Sequence, residues 1–296
     1  MTVSDNNLVG QIFDTNGGTK CKIISGTVRN KVRVKFLDSF GYEVNTRIAD
    51  LEKGYVKNPF APAVCGVGYL GTGRYSPSID GKKTLAYVQW HGVVRRSYDL
   101  TYKNKQASYK KTNMCKEWHC FNTYAEWFYQ QKGWDKGFQL DKDILGNGDG
   151  KYSPDTCCLV PLVINSMFSS GGTCKGKWAI GVRFNKKDKK FYATTSKKGE
   201  GSFLGCFNTE EDAFCAYKKD KQNRVRGLAL SWKGEIEDKV FDVLYNLEVT
   251  KKGWLTKEDS AFKFYETGEV EIPEYYQDNL HLVGAERAEG LEVDYE

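Results

Sequence analysis

The chain reads as an α+β protein assembled from several small domains, and three observations lead there. Short stretches that alternate in period two, the mark of a half-buried strand, recur over 21–46 and 178–207. Between and after them, aromatic and aliphatic side chains fall at helical spacing over 85–98, 122–132, 209–217 and 237–247. At 296 residues the chain is too long for one small domain and suits two or three, with 40% apolar and 14% aromatic residues to fill their cores.

Residues 1–56 read as a small β-rich module. Its strands are expected over 21–26, 31–36 and 42–46, punctuated by Gly17-Gly18, Arg29-Asn30 and Asp38-Ser39-Phe40-Gly41. A small curled sheet or barrel follows, serving either nucleic-acid contact or protein docking. Residues 57–84 hold Pro59, Pro62, Pro77 and many glycines, so an irregular linker is expected. The glycines between 66 and 73 lack the following Lys-Ser/Thr and a strand-then-helix setting, which excludes a phosphate loop.

Residues 85–170 open with a helix marked by Tyr87, Trp90, Val94 and Tyr98, with Arg95 and Arg96 near its end. Trp118 and Phe121 precede a second helix over 122–132 that carries Tyr124, Trp127 and Phe128. Most of these aromatics are expected in the core rather than stacked on bases. Residues 171–230 begin with alternation from Trp178 to Arg183, then a lysine-rich turn over 185–190 and strands over 191–195 and 203–207. Asn208 or Thr209 then caps a helix whose first turn holds Glu210, Glu211 and Asp212, where the helix dipole favours negative charge. Ala213, Phe214, Ala216 and Tyr217 supply its buried stripe, so this unit is a three-stranded sheet backed by one helix. Residues 231–272 add a helix carrying Val240, Phe241, Leu244 and Leu247, and a hairpin around Thr267-Gly268. The stretch 273–296 is a loose acidic tail in which Tyr275, Tyr276, Leu280 and Leu282 are candidates for docking on a partner.

Net charge is +6 and uneven: the tail holds seven acids against Arg287, leaving +12 on residues 1–272. A basic body suits a polyanion, and the acidic tail suits a shield over that surface or a basic protein partner. No apolar run is long enough to span a membrane, and the N-terminus lacks a basic segment followed by an apolar run. The expected location is therefore the cytoplasm. Nine cysteines form no regular framework and are expected as reduced thiols. Cys115 and Cys120 with the adjacent pair Cys157-Cys158 are poorly spaced for zinc, because neighbouring side chains on a strand face opposite ways.

Gly181-Val182-Arg183, Tyr192-Ala193, Leu204-Gly205-Cys206-Phe207-Asn208-Thr209 and the run from Glu210 to Tyr217 occur in the order found in one DNA-binding domain. The segment resembles the DNA-binding domain of plant ethylene-response factors and phage integrases. That resemblance implies a sheet lying in the major groove of double-stranded DNA. It implies further that Arg183, Trp178 and Thr194 approach bases, while Lys186, Lys187, Lys189, Lys190, Lys197 and Lys198 hold phosphates.

Upstream, Cys115-Lys116-Glu117-Trp118, the aromatic helix, Leu140-Asp141-Lys142 and Gly150-Lys151-Tyr152-Ser153-Pro154-Asp155-Thr156-Cys157 also occur in a meaningful order. This order resembles the HNH homing endonucleases of phages, which often carry the integrase-type domain just downstream. HNH chemistry uses a histidine to deprotonate water and a divalent metal to stabilise the phosphate. The resemblance places Lys142 at the general-base position and Thr156 at the bracing asparagine, and His91, His119 and His281 lie outside the segment. A charged lysine neither accepts the proton nor binds the metal. The nuclease therefore reads as degenerate, with no catalytic residue and no cofactor. Asp141 and Asp143, with Asn147 and Asp149, are the remaining positions for Mg²⁺, though their intervals do not fit an EF-hand and an acidic turn is the simpler expectation.

The function expected is that of a phage-derived, catalytically inactive HNH-like protein that binds double-stranded DNA in the bacterial host cell during infection. The alternative is an anti-defence protein that binds and inhibits a host defence nuclease complex, for example Gabija, through protein–protein contacts. A third is an active Mg²⁺-dependent DNA endonuclease. A homo-oligomer is compatible with each, and a membrane partner with none.

Overall fold

A computed structural model describes residues 8–28, 30–146, 150–169, 176–197 and 200–255. Lys198, Asn147, Asp149, Cys174, the hairpin expected around Thr267-Gly268 and the acidic tail lie outside the described residues. The chain is an α+β protein with several separate sheets, and it divides into two compact units, Met1–Gln130 and Gln131–Glu296.

Unit one begins with an antiparallel four-stranded meander: β1 (Ile12–Asp14), β2 (Lys20–Val28), β3 (Lys31–Phe36) and β4 (Glu43–Arg47), followed by the short helix α1 (Ile48–Glu52). The alternation in β3 decides its orientation. Val32, Val34 and Phe36 are buried while Lys31, Arg33 and Lys35 are exposed, and the inward set joins Cys21, Ile23, Leu51 and Val56 in one apolar cluster. Register shifts between Ile23 and Ser25 and between Ser25 and Val28 interrupt the β2–β3 pairing, as bulges do in a curled sheet.

The stretch 57–84 is largely irregular, as its prolines require. It closes, however, with a small hairpin the sequence reading lacks, β5 (Ser78–Ile79) against β6 (Lys82–Lys83). Asp80 and Gly81 between them both adopt positive φ, 50° and 77°, the backbone of the tight turn that Asp-Gly favours. Thr84 then caps α2 (Leu85–Tyr98) by accepting from the Tyr87 amide at 3.3 Å. Asp99 caps α3 (Leu100–Lys105) in the same way. A 3-10 turn (Ala107–Tyr109), β7 (Asn113–Met114) and a second 3-10 turn (Lys116–His119) lead to α4 (Phe121–Phe128), which ends four residues short of the expected boundary. Most of the aromatics are core, with Tyr87, Tyr98 and Trp127 half-buried. Trp90, Trp118, Phe121 and Tyr124 are all buried, and the Trp90 Nε1–H donates to the Trp118 carbonyl at 2.7 Å, satisfying the indole's only polar group.

Unit two starts with a 3-10 turn (Trp134–Lys136), β8 (Gln139–Asp141), β9 (Lys151–Tyr152), β10 (Cys158–Val160) and α5 (Leu162–Ser169). β8 and β10 pair antiparallel, with Asp141 opposite Cys158. Next come β11 (Val182–Asn185), β12 (Lys190–Lys197) and β13 (Glu200–Phe207), an antiparallel sheet in sequence order. The long helix α6 (Glu210–Ser231) packs on it, α7 (Asp238–Tyr245) packs on α6, and the hairpin β14 (Glu248–Thr250)–β15 (Gly253–Leu255) follows. Among the described residues no helix is long and apolar enough to cross a membrane.

The first strand of the three-stranded sheet starts at Val182, not Trp178: Gly181 sits at φ +76° and the Ile180 amide donates to the Lys251 carbonyl at 3.0 Å, so the residues before 182 belong to a turn. The cap of α6 is Thr209, whose hydroxyl accepts from the Asp212 amide at 3.1 Å.

Candidate nucleic-acid interface

The pairing register assigns each side chain of the three-stranded sheet to a face. Val182 lies opposite Ala193 and Phe184 opposite Phe191, so these four share a face with Thr195. That face is the covered one. Ala193 and Thr195 are buried, the Arg224 guanidinium of α6 donates to the Thr195 hydroxyl, and a side chain at Gly181 would run into the Tyr217 ring of α6. The opposite face carries Arg183 paired with Tyr192, Asn185 paired with Lys190, Cys206 opposite Tyr192 and, past a bulge between Ala193 and Thr194, Phe203 opposite Thr194. Arg183 and Lys190 are exposed, and Phe203 is 58% exposed despite being aromatic.

The open face is ordered by its own contacts. The Arg183 guanidinium lies over the Tyr192 ring at 5.4 Å, and Tyr192 meets Phe203 edge-on at 5.3 Å. At the tip, Asn185 Nδ2 donates to the Tyr192 hydroxyl at 2.8 Å and to Asp188 Oδ2 at 2.9 Å, and the Tyr192 hydroxyl donates to that same carboxylate. The Lys187 amide donates to Asn185 Oδ1 at 3.0 Å. The turn's one acid is thus spent in holding the turn, while Lys186, Lys187, Lys189 and Lys190 are all exposed around it. Lys189 takes φ 52°, completing the reversal.

Of the sequence-predicted residues, the fold brings Arg183, Lys190 and Thr194 to one face with Lys186, Lys187 and Lys189 at its tip. Lys197 closes β12, in register with Glu200. Trp178 is not among them. Its ring packs against Phe184 and Phe191, at 5.7 and 5.0 Å, on the side of the sheet that α6 covers. Alternation from 178 to 183 suggested otherwise because it presumed a strand through Gly181. Tyr192, Asn185 and Phe203 were missed as face residues. Period two along β12 places Tyr192 beside Thr194, but Phe203 reaches the face only because of the bulge, whose one mark in the sequence is Gly205, at φ 145° within β13.

The segment carrying Leu140-Asp141-Lys142 and Thr156-Cys157 is organised by different chemistry. Asp141, 5% exposed at the end of β8, accepts at Oδ1 from the Asp143 and Ile144 amides, both at 2.7 Å. Burial pushes its carboxyl above the usual range, the two amide hydrogen bonds opposing. Lys142 Nζ reaches both oxygens of Asp143, at 2.6 and 2.8 Å, and lies 5.8 Å from the centre of the Tyr152 ring. Thr156 Oγ1 donates to the Lys151 carbonyl at 2.6 Å and sits 3.0 Å from Ser153 Oγ, closing the Ser153-Pro154-Asp155-Thr156 turn. Burial pushes the Cys157 thiol up to about 12 and Cys158 well above its ordinary value, which favours the protonated thiol at both. Among the described residues no three His, Cys, Asp or Glu side chains converge as a metal site. No known protein family, curated protein or solved structure matches the chain.

Proposed function

We propose that the chain binds double-stranded DNA through the open face of the β11–β12–β13 sheet and does not cut it. The observation that carries this reading is the asymmetry of the sheet: one face is sealed by α6, and the other presents Arg183, Tyr192, Thr194 and Phe203 beside a tip of four exposed lysines. A planar guanidinium held over an aromatic ring suits base edges and phosphates, and the lysines suit the backbone. Lys142 and Thr156 stand where the resemblance to HNH nucleases puts a base and an asparagine, and both are engaged in holding their own loops.

The test is a salt titration of duplex binding. With about five phosphates neutralised, log affinity falls against log salt with a slope of about −4 to −5. The triple variant K186Q/K187Q/K189Q makes that slope shallower by about 2 to 3. Arg183→Ala weakens binding and relaxes any preference among duplex sequences. Duplex affinity that does not change with salt sinks the proposal. Combined with capture of a host defence nuclease complex on the immobilised chain, that result favours protein–protein inhibition instead.

A further inference from the structure

A second cationic surface lies in unit one, from the end of α2 through α3 and the turn that follows it. Residues 95–116 hold seven Lys or Arg against a single acid, Asp99, and none of residues 100–116 is acidic. The fold gathers them around two rings. Tyr102 on α3 and Tyr109 in the following 3-10 turn lie 5.8 Å apart. The Arg95 guanidinium sits over Tyr102 at 5.2 Å, and that of Arg96 over Tyr109 at 5.9 Å.

Two of the charges are internal fastenings. Lys103 Nζ donates to the carbonyls of Ser97 and Thr112, at 2.9 and 2.8 Å, tying the end of α2 to the residues after the turn. Asp99 caps α3 through the Tyr102 amide at 3.0 Å, the hydrogen bond that chiefly holds its carboxyl below the usual range, and its other oxygen lies 3.6 Å from Arg95 Nε. Lys105, Lys110 and Lys111 are exposed beside this frame.

We propose that this Arg–Tyr–Lys surface is a second phosphate-binding surface for nucleic acid, separate from the sheet of unit two. Exposed lysines supply point charges for backbone phosphates, and guanidiniums over tyrosine rings supply oriented forks for the same oxygens. A bilayer is the weaker fit. α3 has six residues and one exposed large apolar side chain, Leu100, too little apolar area to insert among acyl chains.

The measurement uses the full chain and duplex DNA, with K105Q/K110Q/K111Q beside the sheet-tip variant and the wild type. If each lysine meets one phosphate, the slope of log affinity on log salt becomes shallower by about 2 to 3. A wild-type slope and affinity for K105Q/K110Q/K111Q overturns this surface and leaves the sheet untouched. A wild-type slope for the sheet-tip variant alone sinks the sheet and leaves this surface standing. Should the triple variant melt below the wild type, K110Q/K111Q, outside any helix, takes its place with an expected change of about 2. Loss of binding only to anionic phospholipid vesicles, with duplex affinity intact, also overturns the inference.

Discussion

Lys221 lies on the inner stripe of α6 with Tyr217 and Val225, and only 8% of it is exposed. Burial, with the Arg224 charge adding to it and Asp220 opposing, pushes its ammonium down to about 7. In the unfolded chain the same group titrates near ~10.4. Below about 7 both states carry the proton and the folded state bears the full cost of a buried charge. Between those values the unfolded chain binds more protons, so this group's contribution to stability rises with pH. Lys221→Met is therefore expected to melt above the wild type at pH 6 to 7, by an advantage that shrinks toward pH 10. Melting curves of the two proteins that stay parallel across that range contradict this. Lysine identity alone does not reveal the position. The helical stripe through Ala213, Phe214 and Tyr217 extends to 221 only once α6 is known to run on to Ser231 under the sheet.

α6 is the element on which the proposed interface depends, because it closes one face of the sheet and leaves the other open. Its start was legible in the sequence: a Thr hydroxyl followed by three acids at the positive end of a helix. Thr209→Ala removes the acceptor for the Asp212 amide and is expected to lower stability by about 1 kcal/mol, with Thr209→Ser close to wild type. Chemical denaturation checks this, and an unchanged midpoint for the alanine variant refutes the cap's role. The strand that α6 covers at the sheet edge was less legible. Alternation through Trp178, Ile180 and Val182 is real in the sequence, but Gly181 takes a left-handed backbone and admits the Tyr217 ring where a Cβ would stand. Period two cannot distinguish a strand from a turn that happens to bury alternate residues.

At the scale of the whole chain, the proposed DNA-binding reading predicts a protein that leaves its ligand intact. Supercoiled plasmid incubated with the protein and Mg²⁺ or Mn²⁺ is expected to stay uncut. Metal-dependent nicking that Asp141→Ala abolishes, while the variant stays folded, refutes the assignment of Asp141 to loop capping. Composition, alternation and capping chemistry determined a good deal by themselves: an α+β chain, the meander around Val32, Val34 and Phe36, the aromatic core around Trp90, and a lysine-tipped sheet followed by a capped helix. These are local properties, set by side-chain period and backbone hydrogen-bond demand within a few residues. The tertiary structure alone decided which face of that sheet is open, that Trp178 is packed under it while Phe203 is not, and that Arg95, Arg96 and two tyrosines assemble a second cationic surface. Each of those outcomes depends on register, on a bulge, or on rings brought together across a turn, and such contacts leave no periodic trace in the chain.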